Sequence, residues 1–108
     1  MLVGIECANC HALNVADISP ELGINDRNMA FIRDIQVRNV ETLEHFYSRY
    51  SAFIIDLVEH VEFPVHKDAL IVRISQALHC SKALAYEIFE KIKLDLGLYE
   101  QRGMVYEA

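Results

Sequence analysis

The feature that most limits what this chain can become lies in residues 67–107. Residues 68–78 carry Ala69, Leu70, Ile74, Ala77 and Leu78 on one helical face. Residues 82–96 repeat Leu84, Ile88, Ile92 and Leu96 every fourth position, with Phe89 alongside. Between them His79-Cys80-Ser81 leaves room only for a short turn, and Ser81 is placed to cap the second helix. Gly97 ends that helix. Two strand-like runs, 98–101 and 104–107, then meet at Arg102-Gly103, a hairpin signal. Helix, short turn, helix, glycine and hairpin is the order of a winged helix-turn-helix.

Residues 41–61 form the clearest single helix. Leu43, Tyr47, Tyr50, Ile54, Leu57 and Val61 are spaced alternately by four and three, a heptad seam. Phe46, Phe53, Ile55 and Val58 add a second stripe. So wide an apolar face must be covered on two sides. One side can meet the helix-turn-helix. The other can meet the preceding segment or a second subunit; Leu43, Tyr47, Tyr50, Ile54 and Leu57 are the candidate dimer interface, and a helix buried wholly within its own chain is the equal alternative. Pro64 ends this region, and Phe63-Pro64-Val65 suits a short strand before the next helix.

Residues 1–40 read as an extension of short helices. Residues 2–5 are an apolar run fit for a strand or an arm. Residues 12–18 are amphipathic enough for a short helix. Ser19-Pro20-Glu21 has the chemistry of a helix start, and Gly23 closes it. Met29, Ile32 and Ile35 or Gln36 follow at helical spacing, with Phe31 beside them, and Asn39 ends the segment. The expected fold is therefore mainly α with a small β-hairpin wing. It is a winged helix-turn-helix core over 41–108 with an N-terminal helical extension over 1–40, in one compact domain.

Hydrophobic residues make up 53%, which leaves apolar surface for a partner. The apolar runs are too short to span a membrane, and the start has no signal-peptide pattern, so a cytoplasmic location with reduced cysteines is expected. The net charge of −6 is uneven. Residues 1–63 hold four Arg against ten acids, and residues 64–108 hold six basic residues against six acids. An acidic half and a neutral reading half are compatible with DNA, with low non-specific affinity.

Cys7-Ala8-Asn9-Cys10-His11 has the spacing of c-type haem attachment and of half a zinc site. No export route and no second Cys pair accompany it. Zinc through Cys7 and Cys10 would need His79 and Cys80, or a second subunit. The plain reading is two small thiols near a chain end, so no metal or cofactor is assigned. His11, His45, His60, His66 and His79 are scattered, and no nucleophile, phosphate-loop or dinucleotide pattern is present. An enzyme is not expected.

The ending Leu96-Gly97-Leu98-Tyr99-Glu100 with Arg102-Gly103 resembles that of the winged helix-turn-helix superfamily, in particular MarR-like and small archaeal or archaeal-viral winged-helix regulators. The resemblance covers about 40 residues and implies a homodimeric transcription regulator on double-stranded DNA. Residues 81–96 would be the recognition helix in the major groove, and 98–107 the wing on the flanking backbone. The candidate DNA contacts are Ser81, Lys82, Ala85, Tyr86 and Arg102. The alternatives are a winged-helix protein-interaction module without DNA binding, and a metal- or redox-responsive variant through Cys7 and Cys10.

Overall fold

A computed structural model describes residues 1–107. The order is β1 (Leu2–Glu6), β2 (Leu13–Ile24), β3 (Ala30–Thr42), α1 (Leu43–Glu59), β4 (Val65–His66), α2 (Lys67–Leu78), α3 (Lys82–Leu96), β5 (Tyr99–Gln101) and β6 (Met104–Tyr106). The fold is mixed α/β. An antiparallel sheet, β1-β2-β3, precedes three helices and a C-terminal hairpin, and β4 joins that hairpin in the order β4-β6-β5.

The expected N-terminal helices are therefore corrected to strands, and the mainly α class with them. Three local features explain the misreading. Val15 and Ala16 are both buried, so the base of β2 shows no alternation and its apolar residues mimic a helix face. Pairing jumps from Glu21↔Asp34 to Leu22↔Ile32, which leaves Arg33 as the extra residue of a bulge. That bulge puts Ile32 and Ile35 on one face although they are three apart, a spacing that reads as helical. Pro20 lies beyond the end of β1, where β2 has only one neighbour, so its missing N–H is tolerated on an edge.

The helices begin and end where their caps dictate. Thr42 accepts a hydrogen bond from the His45 backbone N–H (3.2 Å) and starts α1. Ser81 accepts from Leu84 N–H (3.2 Å) and starts α3. Gly97, at φ 66°, ends α3 in the left-handed region that only glycine adopts freely. At the end of α2 that region is taken by His79 (φ 51°) instead. Ser75 closes this turn twice: its carbonyl accepts from Cys80 N–H (3.1 Å) and its hydroxyl donates to the Cys80 carbonyl (2.7 Å).

The core lies among the three helices and the inner side of both sheets. Phe46, Ile54 and Val58 of α1 meet Leu70 and Ile74 of α2, and Ile88, Phe89 and Ile92 of α3. Val15 seals it from β2 and Val105 from β6. Burial of each large side chain contributes about 1.5–3 kcal/mol. β1 is bound to the helix-turn-helix as well as to β2. Leu2 N–H donates to the His79 carbonyl (2.9 Å), and Ser81 N–H donates to the Leu2 carbonyl (2.8 Å). The turn between α2 and α3 is thus clamped by the start of the chain.

The expected dimer seam on α1 is mostly spent inside its own chain. Leu43 and Ile54 are buried, and Leu57 is half-buried against the core. The Tyr47 hydroxyl donates to Asp95 of α3 (2.6 Å), and Glu44 pairs with Lys91 of α3 (2.6 Å). Burial and the Asp95 carboxylate push the Tyr47 phenol well above its ordinary value, so it stays a donor. Of the five seam residues Tyr50 alone stays exposed, packed on Phe46 at 4.9 Å. The physical reason is that α3, distant in sequence, folds back on α1 and takes up most of the seam, while Phe53 of the second stripe stays exposed beside Tyr50.

Candidate nucleic-acid interface

The first turn of α3, the exposed side of α2 and the β5–β6 hairpin carry the surface that can face a nucleic acid. Ser81 sits at the N-terminus of α3. Its oxygen accepts the capping bond, which leaves its O–H free to donate outward. Lys82 follows, exposed and with no ion pair among the described residues. Tyr86 lies one turn on, half-exposed, with the Lys67 ammonium 4.7 Å from its ring centroid.

Ala85 does not belong to this surface. It is fully buried between Leu84 and Ile88, so its expected contact with a base is corrected. Two adjacent residues, Leu84 and Ala85, face inward because α3 packs against neighbours over a wide stripe, and the small side chain lets them approach. The exposed alanine of this turn is Ala83.

Arg102 occupies the tip of the hairpin. Gln101 and Met104 pair across it, so the loop is two residues long. Arg102 (φ 54°) and Gly103 (φ 78°) are both left-handed, the signature of a type I′ turn, which matches the twist of the flanking strands. Arginine in that region costs about 1–2 kcal/mol relative to its relaxed conformation. The stacked cross-strand pair Tyr99–Tyr106 (5.2 Å) helps to hold the hairpin against it. Arg102 is exposed and makes no ion pair among the described residues.

The other cations near the hairpin are already neutralised. Glu100 of β5 meets Lys67 of α2 (3.2 Å) and Lys93 of α3 (3.4 Å), and Lys93 also meets Glu90 (3.0 Å). This clasp ties the hairpin to both helices. Burial pushes the Glu100 carboxyl up, but the hydrogen bond from Lys67 and the two lysine charges outweigh it and hold the group below its usual range. The hydrogen bond to Glu100 raises Lys67, and the one to Glu90 raises Lys93. Positive charge free for phosphate therefore comes from Lys82 and Arg102, joined by Arg73 on the exposed side of α2. Arg73 is absent from the expected contacts. Its signal is an isolated charge inside Ile71-Val72-Arg73-Ile74, which marks the outward position of an amphipathic turn.

The cysteines do not form one site. Cys80 lies in the buried turn beside Leu2, and Cys7 follows the far end of the five-residue β1, so about 17 Å of strand separates them. Burial pushes the Cys80 thiol up to about 11, which keeps it protonated and a poor ligand. Recruitment of Cys80 to a zinc site with Cys7 and Cys10 is thereby corrected. The backbone N–H groups of Cys10 and Asn9 lower the Cys7 thiol. His11 turns to Glu6 instead (2.9 Å). Among the described residues no group of three or more His, Cys, Asp or Glu side chains converges as a metal site, and no helix is long and apolar enough to cross a membrane.

No protein-family model, curated protein or solved structure matches this chain.

Proposed function

We propose that the chain is a DNA-binding regulator of winged helix-turn-helix type, with α3 entering the major groove and the β5–β6 hairpin lying on the flanking backbone. The observation that carries this reading is the selective pairing of charge. Lys67, Lys91 and Lys93 are held by carboxylates, whereas Lys82 at the start of α3 and Arg102 at the hairpin tip have no ion pair among the described residues and stand at the two positions that such a reader needs. The positive end of the α3 dipole adds to Lys82, and Ser81 supplies a hydroxyl donor for a phosphate oxygen. A regulator of this kind works as a homodimer, which sets two reading heads on one duplex.

The test is charge reversal of Lys82→Glu together with Arg102→Glu. Loss of duplex binding with unchanged folding supports the reading. Binding equal to that of the parent rejects the assigned surface. A protein-interaction module is the second reading, and the net charge of −6 favours it. Failure of the parent chain to shift any duplex at low salt would favour that module over the regulator.

A further inference from the structure

The β2–β3 hairpin extends well beyond the body, and the molecule measures 57 × 33 × 24 Å. Its pairing register sorts most of its side chains by face. Ile18↔Val37, Pro20↔Ile35, Leu22↔Ile32 and Ile24↔Ala30 are all on one face. Asp17↔Arg38, Ser19↔Gln36 and Glu21↔Asp34 are on the other, with Arg33 4.0 Å from Glu21, and Phe31, opposite Gly23, is the one large apolar side chain there among the described residues. The polar face continues the side of the sheet on which Val15 meets the helices. The apolar face is the sheet's rear; Ala16 at its base is buried, but toward the hairpin tip none of the described residues covers it: Leu22 is 64%, Ile24 75% and Ile32 63% exposed.

We propose that this rear face is the interface with a second copy of the chain, packed sheet on sheet about a two-fold axis. Three observations select that occupant. The first is area. The five exposed large side chains of this face, Leu22, Ile24, Ile32, Ile35 and Val37, at roughly 100 Å² each, give on the order of 500 Å², at the upper end for a contiguous patch on a monomer and more than half of one partner's share of a standard interface. The second is stability. A two-stranded ribbon with both edges open is marginal in water, so its cover must be present whenever the chain is folded. A second copy meets that condition, being always present in equal amount. The third is charge. Residues 18–40 hold three acids (Glu21, Asp26, Asp34) and three arginines (Arg27, Arg33, Arg38). The ribbon is thus neutral within a chain of net charge −6, and two copies can meet there without repulsion. A face of antiparallel pairs is also self-complementary under a two-fold, as an isologous contact requires. Sheets packed in this way lie about 10 Å apart. The interface deepens the dimeric part of the proposed regulator, but it rests on the ribbon alone and not on DNA.

The experiment is sedimentation equilibrium of the full chain at micromolar concentration, without DNA, so its outcome is separate from that of the DNA reading. The parent is expected at twice its chain mass of 12.4 kDa. Leu22→Lys with Ile32→Lys is expected at one chain mass, with its helical circular dichroism retained, because both side chains are exposed in the monomer. Gln36→Lys, on the opposite face, is expected to remain a dimer. Should the double variant fold poorly, Ile24→Glu alone at the far end of the ribbon should weaken association on the order of tenfold or more. Any other mass for the parent, or unchanged association in the rear-face variants, overturns the proposal.

Discussion

Ser81 is asked to do two things, and substitution can separate them. Its backbone is fully used: N–H donates to Leu2 and the carbonyl accepts from Ala85 N–H (2.9 Å). Its side chain accepts the capping bond from Leu84 N–H. Ser81→Ala removes the cap and leaves the backbone contacts in place. The expected cost is about 1 kcal/mol, within the range of about 0.5–2 for such caps. For a domain of this size that is a fall in Tm of about 4–5 °C. Ser81→Asp should behave differently. A carboxylate caps as well as a hydroxyl and interacts favourably with the α3 dipole, so stability should return to the parent value. The same charge faces the proposed phosphate and should weaken duplex binding. Urea denaturation gives the first quantity and fluorescence anisotropy with labelled duplex the second. If Ser81→Ala costs nothing, or if Ser81→Asp is as unstable as Ser81→Ala, the capping argument fails. If Ser81→Asp binds DNA like the parent, Ser81 does not face the phosphate.

Two further outcomes follow from local geometry. His79→Gly should stabilise the chain by about 0.5–1 kcal/mol, since relief of a left-handed side chain exceeds the extra entropy that glycine loses; an unchanged or lower denaturation midpoint contradicts this. The Glu100 clasp should make stability depend on pH at both ends. Glu100 is held low in the folded state, so its contribution is complete above the ordinary carboxylate range and is lost as pH falls through the folded value. Lys67 and Lys93 are held high, so theirs is complete below the ordinary lysine range and is lost as pH rises through the folded values. Glu100→Gln should flatten the acid limb of a denaturation-midpoint series, and an unaltered slope would show that the clasp is not coupled to folding.

The helical half of the molecule was legible because its signals are local. Thr42, Ser81 and Gly97 punctuate the sequence at the positions where the caps form, and the four-residue repeat from Leu84 to Leu96 is undisturbed. The sheet was not legible because each of its signals is altered by something non-local. Burial on both sides removes alternation at Val15-Ala16, and the bulge at Arg33 turns a strand period into a helical one. The candidate site divides in the same way. Lys82 and Arg102 could be found from position alone. The neutralisation of Lys67 depends on Glu100, thirty-three residues away, and no periodicity encodes that pairing. The fate of the α1 seam likewise depended on Tyr47 finding Asp95.

Salt dependence shows whether the cations at the start of α3 and the tip of the hairpin bind duplex DNA. Anisotropy is measured with one labelled duplex across a salt series for the parent, Lys82→Ala and Arg102→Asn. Log affinity is expected to fall linearly with log salt, with a slope reduced by about one for each phosphate contact removed per chain. No binding at low salt, or identical slopes in all three proteins, would contradict it.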